Sequence, residues 1–159
     1  MSRYNTILVP TAFSKLSQLA APYVIPLAKQ FGSKVHVVHI VPQTELAVPS
    51  ATPSMGGAMS MPLAGPSREE LMSMSRAHLD TFCGSVLGEI AGQITKWSTI
   101  GPIVDEIVAY SERHKVDLIV MGTHADGMLK RLVFGSIGKS VLESSMCPVM
   151  LVPVRGAKV

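Results

Sequence analysis

Val116-Asp117-Leu118-Ile119-Val120-Met121, then Gly122-Thr123-His124-Ala125, then Gly135-Ser136-Ile137-Gly138-Lys139-Ser140-Val141-Leu142, then Cys147-Pro148-Val149-Met150-Leu151-Val152: this succession decides the fold. The first segment is a short apolar run, which predicts a buried strand. A glycine-bearing loop, a helix and another strand follow from the next three segments. A strand that opens through glycine into a helix N-terminus is physically an anion site. Glycine lets backbone N–H groups approach a phosphate, and the first helical turn presents unpaired donors at the positive end of its dipole. Ser136 adds a hydroxyl. The plainer alternative is that Gly122 and Gly135 only permit a tight turn and that Ser136 only caps a helix.

Outward from this run, Ile7-Leu8-Val9 is a short strand stopped by Pro10. Between Ser14 and Phe31 the apolar residues Leu16, Leu19, Ala20, Tyr23, Leu27 and Phe31 recur at three- and four-residue steps, which predicts a helix closed by Gly32. Pro22 and Pro26 each remove a hydrogen bond, at about 3 kcal/mol, so this helix is expected to be kinked or locally opened. Val35 to Val41 has the β-branched content of a central strand. Residues 42–66 carry prolines, glycines, serines and Met55, Met59 and Met61 without a period, and are expected to form a flexible loop. Ser67-Arg68-Glu69-Glu70 is a capping box for a helix running to about Ile90, with Gly84 and Gly88 as weak points. A strand over Ile94–Thr99, the linker Gly101-Pro102 and a helix over Val104–His114 complete the order.

Strands alternating with helices in this way predict one α/β domain over residues 1–159. It is a doubly wound five-stranded parallel sheet, order 3-2-1-4-5, with helices on both faces. In such a sheet ligands bind beyond the carboxyl ends of the strands where the order reverses, here between strands one and four. Pro10-Thr11-Ala12-Phe13 and Gly122 to Ala125 therefore converge on one crevice.

Composition narrows the function. The chain of 159 residues is 47% apolar and 16% charged, below the usual charged share of about 25%. Its net charge is +3 and its basic residues are scattered, Lys130-Arg131 being the only adjacent pair, which argues against a nucleic-acid groove. Four apolar residues, Ile7 to Pro10, are too few for a secretory core, and no run approaches the ~20 residues of a membrane span. A cytoplasmic location is expected, with Cys83 and Cys147 as reduced thiols. His36 and His39 lie at odd separation on one strand and so face opposite sides, and the five histidines have no ligand spacing for a metal. His124 is expected to be an exposed loop residue, and Tyr23, Phe31, Phe82 and Trp97 core residues.

These motifs resemble the universal stress protein family over nearly the whole chain. The family's nucleotide-binding members carry G-x-x-G, nine residues and G-[S/T] after the fourth strand. Here Gly122, Ala125, Gly135 and Ser136 stand at those positions, ahead of Cys147-Pro148-Val149-Met150-Leu151-Val152. Val9-Pro10-Thr11-Ala12-Phe13-Ser14 resembles the first loop, usually V-P-x-D-F-S, and His36-Val37-Val38-His39-Ile40 the second strand. Gly101-Pro102-Ile103-Val104-Asp105-Glu106-Ile107 is similar to the linker after the third strand.

The resemblance implies an adenine nucleotide, ATP or a similar one with Mg2+, held by Thr11, Ala12, Ile40, Met121, Gly122, Thr123, Ala125, Gly135, Ser136 and Ile137. Ile40 stands at the position whose backbone reads the base. Two departures weaken that pocket. Ala12 replaces an aspartate expected near the ribose and metal, and Ala125 replaces the second glycine. The expected function is a cytoplasmic stress-response regulator with a weakened nucleotide pocket. The alternative is a protein without bound nucleotide that acts as a homodimeric interaction module. No nucleophile–base pair, carboxylate pair or metal cluster supports an enzyme. The last strand, Val149 to Val154, lies at a sheet edge and is the expected dimer contact.

Overall fold

The computed structural model describes residues 4–46, 65–123 and 136–153. In chain order these form β1 (Thr6–Pro10), α1 (Lys15–Gln18), α2 (Ala21–Phe31), β2 (Lys34–Val41) and α3 (Arg68–Val86). They are followed by β3 (Ile94–Ile100), α4 (Ile103–Arg113), β4 (Leu118–Thr123), α5 (Ser136–Ser144) and β5 (Val149–Pro153). The five strands are all parallel in the order β3-β2-β1-β4-β5, as the alternation predicts.

Side-chain alternation along the central strands feeds two cores. Ile7, Val9, Val35, Val37, Leu118 and Val120 point to one face, where α2 supplies Val24 and Ala28 and α3 supplies Leu79 and Phe82. Leu8, Val38, Ile40, Ile119 and Met121 point to the other, against Ile107 and Tyr110 of α4 and Val141 of α5. Both faces are therefore covered, which is why β1 and β4 read as continuous apolar runs rather than alternating ones. At the amino end of the sheet, one carboxylate oxygen of Asp117 accepts N–H bonds from Asn5 (2.8 Å) and Thr6 (2.9 Å), and Asp117 N–H donates back to Thr6 O (2.9 Å). This ties the start of β1 to the start of β4.

Several boundaries differ from the sequence reading. The Ser14–Phe31 helix is two helices, α1 and α2, with the break at Leu19–Ala20. The opening thus falls ahead of both prolines. Pro22 occupies the first turn of α2, where its missing N–H is no loss, and Pro26 is carried inside the helix. Gly32 closes α2 at φ 64°, a left-handed cap that glycine adopts without strain. Tyr23 is not a core residue: it is 45% exposed, because the break rotates the stripe so that Val24 and Ala28 face inward. Phe31 is half-buried against Tyr4, Trp97 half-buried against Tyr110, and Phe82 buried.

The capping box is formed, Glu70 N–H donating to Ser67 Oγ and Ser67 N–H to Glu70 Oε2. α3 passes unbroken through Gly84 but ends at Val86, four residues early, and a 3-10 turn over Gly88–Gln93 follows. α4 starts and stops one residue earlier than expected. β4 begins at Leu118 and runs through Gly122 and Thr123, so those two residues belong to the strand and not to the loop after it. β5 spans Val149–Pro153, so Cys147 and Pro148 precede the strand, although Pro148 O accepts the Ile119 N–H (3.0 Å). Of the 42–66 loop, Gln43–Glu45 form a single 3-10 turn; residues 47–64 lie outside the described residues, as does Val154. Cys83 is buried and Cys147 half-buried, both free thiols.

Candidate functional site

A cavity of about 260 Å3 opens at the carboxyl ends of β1 and β4, where the strand order reverses. Its apolar side is made by Ile40 of β2, Met121 of β4 and Ile103 and Ile107 of α4. A second side is the loop leaving β1. Thr11 N–H donates to Val38 O (2.8 Å), so the ladder with β2 extends one residue past the strand before the chain turns. Ala12 N–H donates to Ser17 Oγ (3.0 Å) and Phe13 N–H to Thr11 Oγ1 (3.0 Å).

Phe13 holds φ 59°, a left-handed conformation that costs a bulky residue about 1–3 kcal/mol. Its ring is seated away from the cavity, with centroids 4.3 Å from His39, 5.3 Å from His78 and 6.2 Å from Phe82. That contact stabilises the turn and aims the backbone of Thr11 and Ala12 at the crevice.

The break after α1 has a consequence here. It lets α1 lie across the end of β4, with Leu16 and Ser17 bordering the cavity. A Cβ on Gly122 would stand 2.0 Å from Leu16 O and 2.7 Å from Leu16 C, so only glycine permits this approach. The third side is the first turn of α5, through Ser136, Ile137 and Gly138.

Of the residues expected at the site, Thr11, Ala12, Ile40, Met121, Gly122, Thr123, Ser136 and Ile137 all border this one cavity. Ala125 and Gly135 lie outside the described residues, together with His124 and Gly127. Gly122 has a role the sequence reading gave to phosphate approach: its missing side chain accommodates α1. Leu16, Ser17, Ile103 and Ile107 also line the cavity and were not singled out. Ile103 and Ile107 sit four apart on α4 just after Gly101-Pro102, a spacing that already placed them on one helical face. Leu16 and Ser17 depend on where the first helix opens, which the prolines indicate only loosely.

No carboxylate borders the cavity among the described residues; its polar groups are the hydroxyls of Thr11, Ser14, Ser17, Thr123 and Ser136. Mg2+ is ordinarily bound through one or two carboxylates together with phosphate and water. The described donor set does not fit it.

His36 and His39 face opposite sides of β2, as their spacing requires. His36 Nδ1 lies 3.0 Å from Tyr110 Oη, and His39 Nδ1 lies 2.7 Å from Ser75 Oγ. Burial, reinforced by His78, lowers the His39 pKa to about 4. Burial also lowers that of His36, with His114 and Lys34 adding to it. Burial raises the Cys83 thiol to about 11, which leaves it an unreactive core group at neutral pH.

A doubly wound parallel sheet with a crevice at its switch point serves many unrelated functions, and similarity to known proteins narrows the choice to one family. The universal stress protein family model matches residues 3–153, and the chain belongs to that family. A universal stress protein of Methanocaldococcus jannaschii is 29% identical over 151 residues, covering 94% of this chain and 82% of the relative. The solved structure of another universal stress protein from that organism superposes with a TM-score of 0.73 at 22% identity, covering 98% of this chain and 99% of the other. The Archaeoglobus fulgidus universal stress protein, solved in complex with dAMP, gives 0.63 at 19% identity, covering 96% and 99%.

Proposed function

We propose that this universal stress protein is a stress-response regulator that binds an adenine nucleotide in the crevice between β1 and β4. The observation that carries the reading is the convergence of the β1 loop, the end of β4 and the first turn of α5 on one cavity. Its apolar side suits a base, and the helix N-terminus beside it suits an anion. The dAMP bound by the Archaeoglobus relative supports the choice of adenine. Binding without group transfer fits the residues present, since the hydroxyls of Ser14, Ser17 and Ser136 border the cavity with no histidine or carboxylate among its described lining.

Ser136 is exposed at the mouth of the cavity, so tryptophan there should fill the opening and leave the core intact. Calorimetric titration with AMP should show affinity falling by about tenfold or more in Ser136→Trp, the loss of one good contact or its steric equivalent. Equal affinity in both proteins would move the site elsewhere. Absence of adenine-nucleotide binding in the wild type would favour the interaction-module alternative.

The same reading includes a homodimer joined through β5. This strand is a sheet edge, and its Val149, Met150 and Leu151 are only half-buried. Beside it in sequence, Leu142 is 46% and Met146 86% exposed, a concentration of apolar surface next to a strand edge that no other described strand pairs. Light scattering at tens of micromolar should give a dimer for the wild type, and Leu142→Lys with Met150→Lys should give monomer with unchanged circular dichroism. A monomeric wild type, or a dimer that survives both lysines, removes β5 as the interface.

A further inference from the structure

We infer that Phe13 is a latch on the β1 loop, closed on a neutral His39 and opened when that ring takes up a proton. The inference stands on the cluster of side chains around Phe13 and is independent of any ligand in the crevice.

The turn depends on where one side chain sits. Phe13 keeps φ 59° without being glycine, and such a conformation persists only where the surroundings over-determine it. The surroundings here are the seat of the ring, which bridges two elements: His39 on β2 at 4.3 Å between centroids, and His78 and Phe82 on α3 at 5.3 and 6.2 Å. Behind the ring, Phe13 N–H donates to Thr11 Oγ1 and Ala12 N–H to Ser17 Oγ. A ring that leaves its seat therefore frees the turn to relax, and with it the backbone of Thr11 and Ala12 at the crevice and the contact to α1.

The seat is hostile to charge. His39 is half-buried, and its Nδ1 lies 2.7 Å from Ser75 Oγ, a side chain only 2% exposed. On α3, His78 opposes a second positive charge, and Cys83, in the same cluster, is a neutral thiol. On β3 the residue level with His39 is Ser98, and the β1 loop brings only Thr11 and Phe13. The charged Asp80 of α3 and Lys96 of β3 are bonded to each other. Among the described residues no carboxylate pairs with His39. An imidazolium at this position has to be hydrated instead, and water reaches the ring face under Phe13 only when Phe13 leaves.

The direction of the coupling follows. With the latch closed, burial reinforced by His78 holds the His39 pKa at about 4. With it open, the ring moves toward its ordinary value of about 6.5. Each proton bound between those values favours the open state, so the ratio of closed to open should fall by up to about a hundredfold as pH drops across that window.

The test follows histidine Cε1–H and backbone amide resonances of the full chain by NMR from pH 7.5 to 4, in the wild type, Phe13→Gly and His78→Ala. Glycine suits the left-handed position and His78 is exposed, so both variants should fold. In the wild type the amides of Thr11 to Ser14 should shift in step with His39. In Phe13→Gly the His39 midpoint should rise by about one pH unit or more, a tenfold gain in proton affinity, and in His78→Ala by a smaller amount. Loop amides that stay still while His39 titrates would overturn the inference. So would a midpoint that is unchanged in Phe13→Gly, or one that falls, which is the result if Phe13 instead holds the imidazolium by a cation–π contact.

Discussion

Gly122→Ala should lower the unfolding free energy by about 3 kcal/mol, at the upper end of what overpacking ordinarily costs. The added Cβ would meet Leu16 backbone oxygen at 2.0 Å and its carbonyl carbon at 2.7 Å, and neither is the end of a flexible side chain. Relief requires α1 to lift from β4. Lifting α1 breaks the Ala12 N–H to Ser17 Oγ bond and releases the turn that holds Phe13 in its left-handed conformation. The variant should therefore be less stable in urea and, on the proposed function, also weaker in adenine-nucleotide binding, with the two losses arising together. Gly84→Ala is the control: a Cβ there meets nothing within 4 Å, and a helix interior gains about 0.5–1 kcal/mol from alanine. A loss below about 1 kcal/mol at Gly122 would mean that α1 does not press on the strand.

Acidification should destabilise the protein through His39. Its pKa is about 4 in the fold, against an ordinary value of 6.5. Between those values the unfolded chain binds a proton that the native ring refuses, so stability is at its full value above about pH 6.5 and is lost as pH falls toward 4. The burial that sets this shift comes with Phe13 packed at a tilt against the ring and Ser75 bonded to Nδ1, and the nearby His78 of α3 adds to it. Allowing for solvent screening of a half-buried ring, the loss is about 2 kcal/mol. Burial of His36 acts in the same direction. Denaturation midpoints measured from pH 7.5 to 4.5 should fall more steeply for wild type than for His39→Gln, which has no titrating group there. Parallel slopes would show that the native His39 ring accepts a proton as readily as the unfolded one.

Much of the sheet is legible in the sequence because parallel strands covered on both faces leave apolar runs that few other structures produce. Ile7-Leu8-Val9 and Leu118 to Met121 are of this kind, and their alternation with helical periods gives the order of strands. The capping box at Ser67 is equally plain, since both partners lie within four residues. The first helix is harder. Its apolar positions fit a single stripe from Leu16 to Phe31, and what separates α1 from α2 is a long-range contact, Leu16 against Gly122, that no local pattern encodes. Tyr23 is misplaced for the same reason. Glycine and serine mark the crevice at the switch point, but the role of Gly122 depends on what packs above it. That Ser17 holds Ala12 N–H depends in turn on the helix break.

The clasp between Asp117 and the start of β1 lies at one end of the sheet, and the crevice at the other. Register is thus anchored where no ligand comes, and the loops that would meet a ligand are hung from strands already fixed at their far ends. A substitution at the exposed position 12 should then carry little penalty to folding. The sheet is thus pinned at its base, away from the crevice, and an exposed loop position at the rim can vary without loosening the strand register.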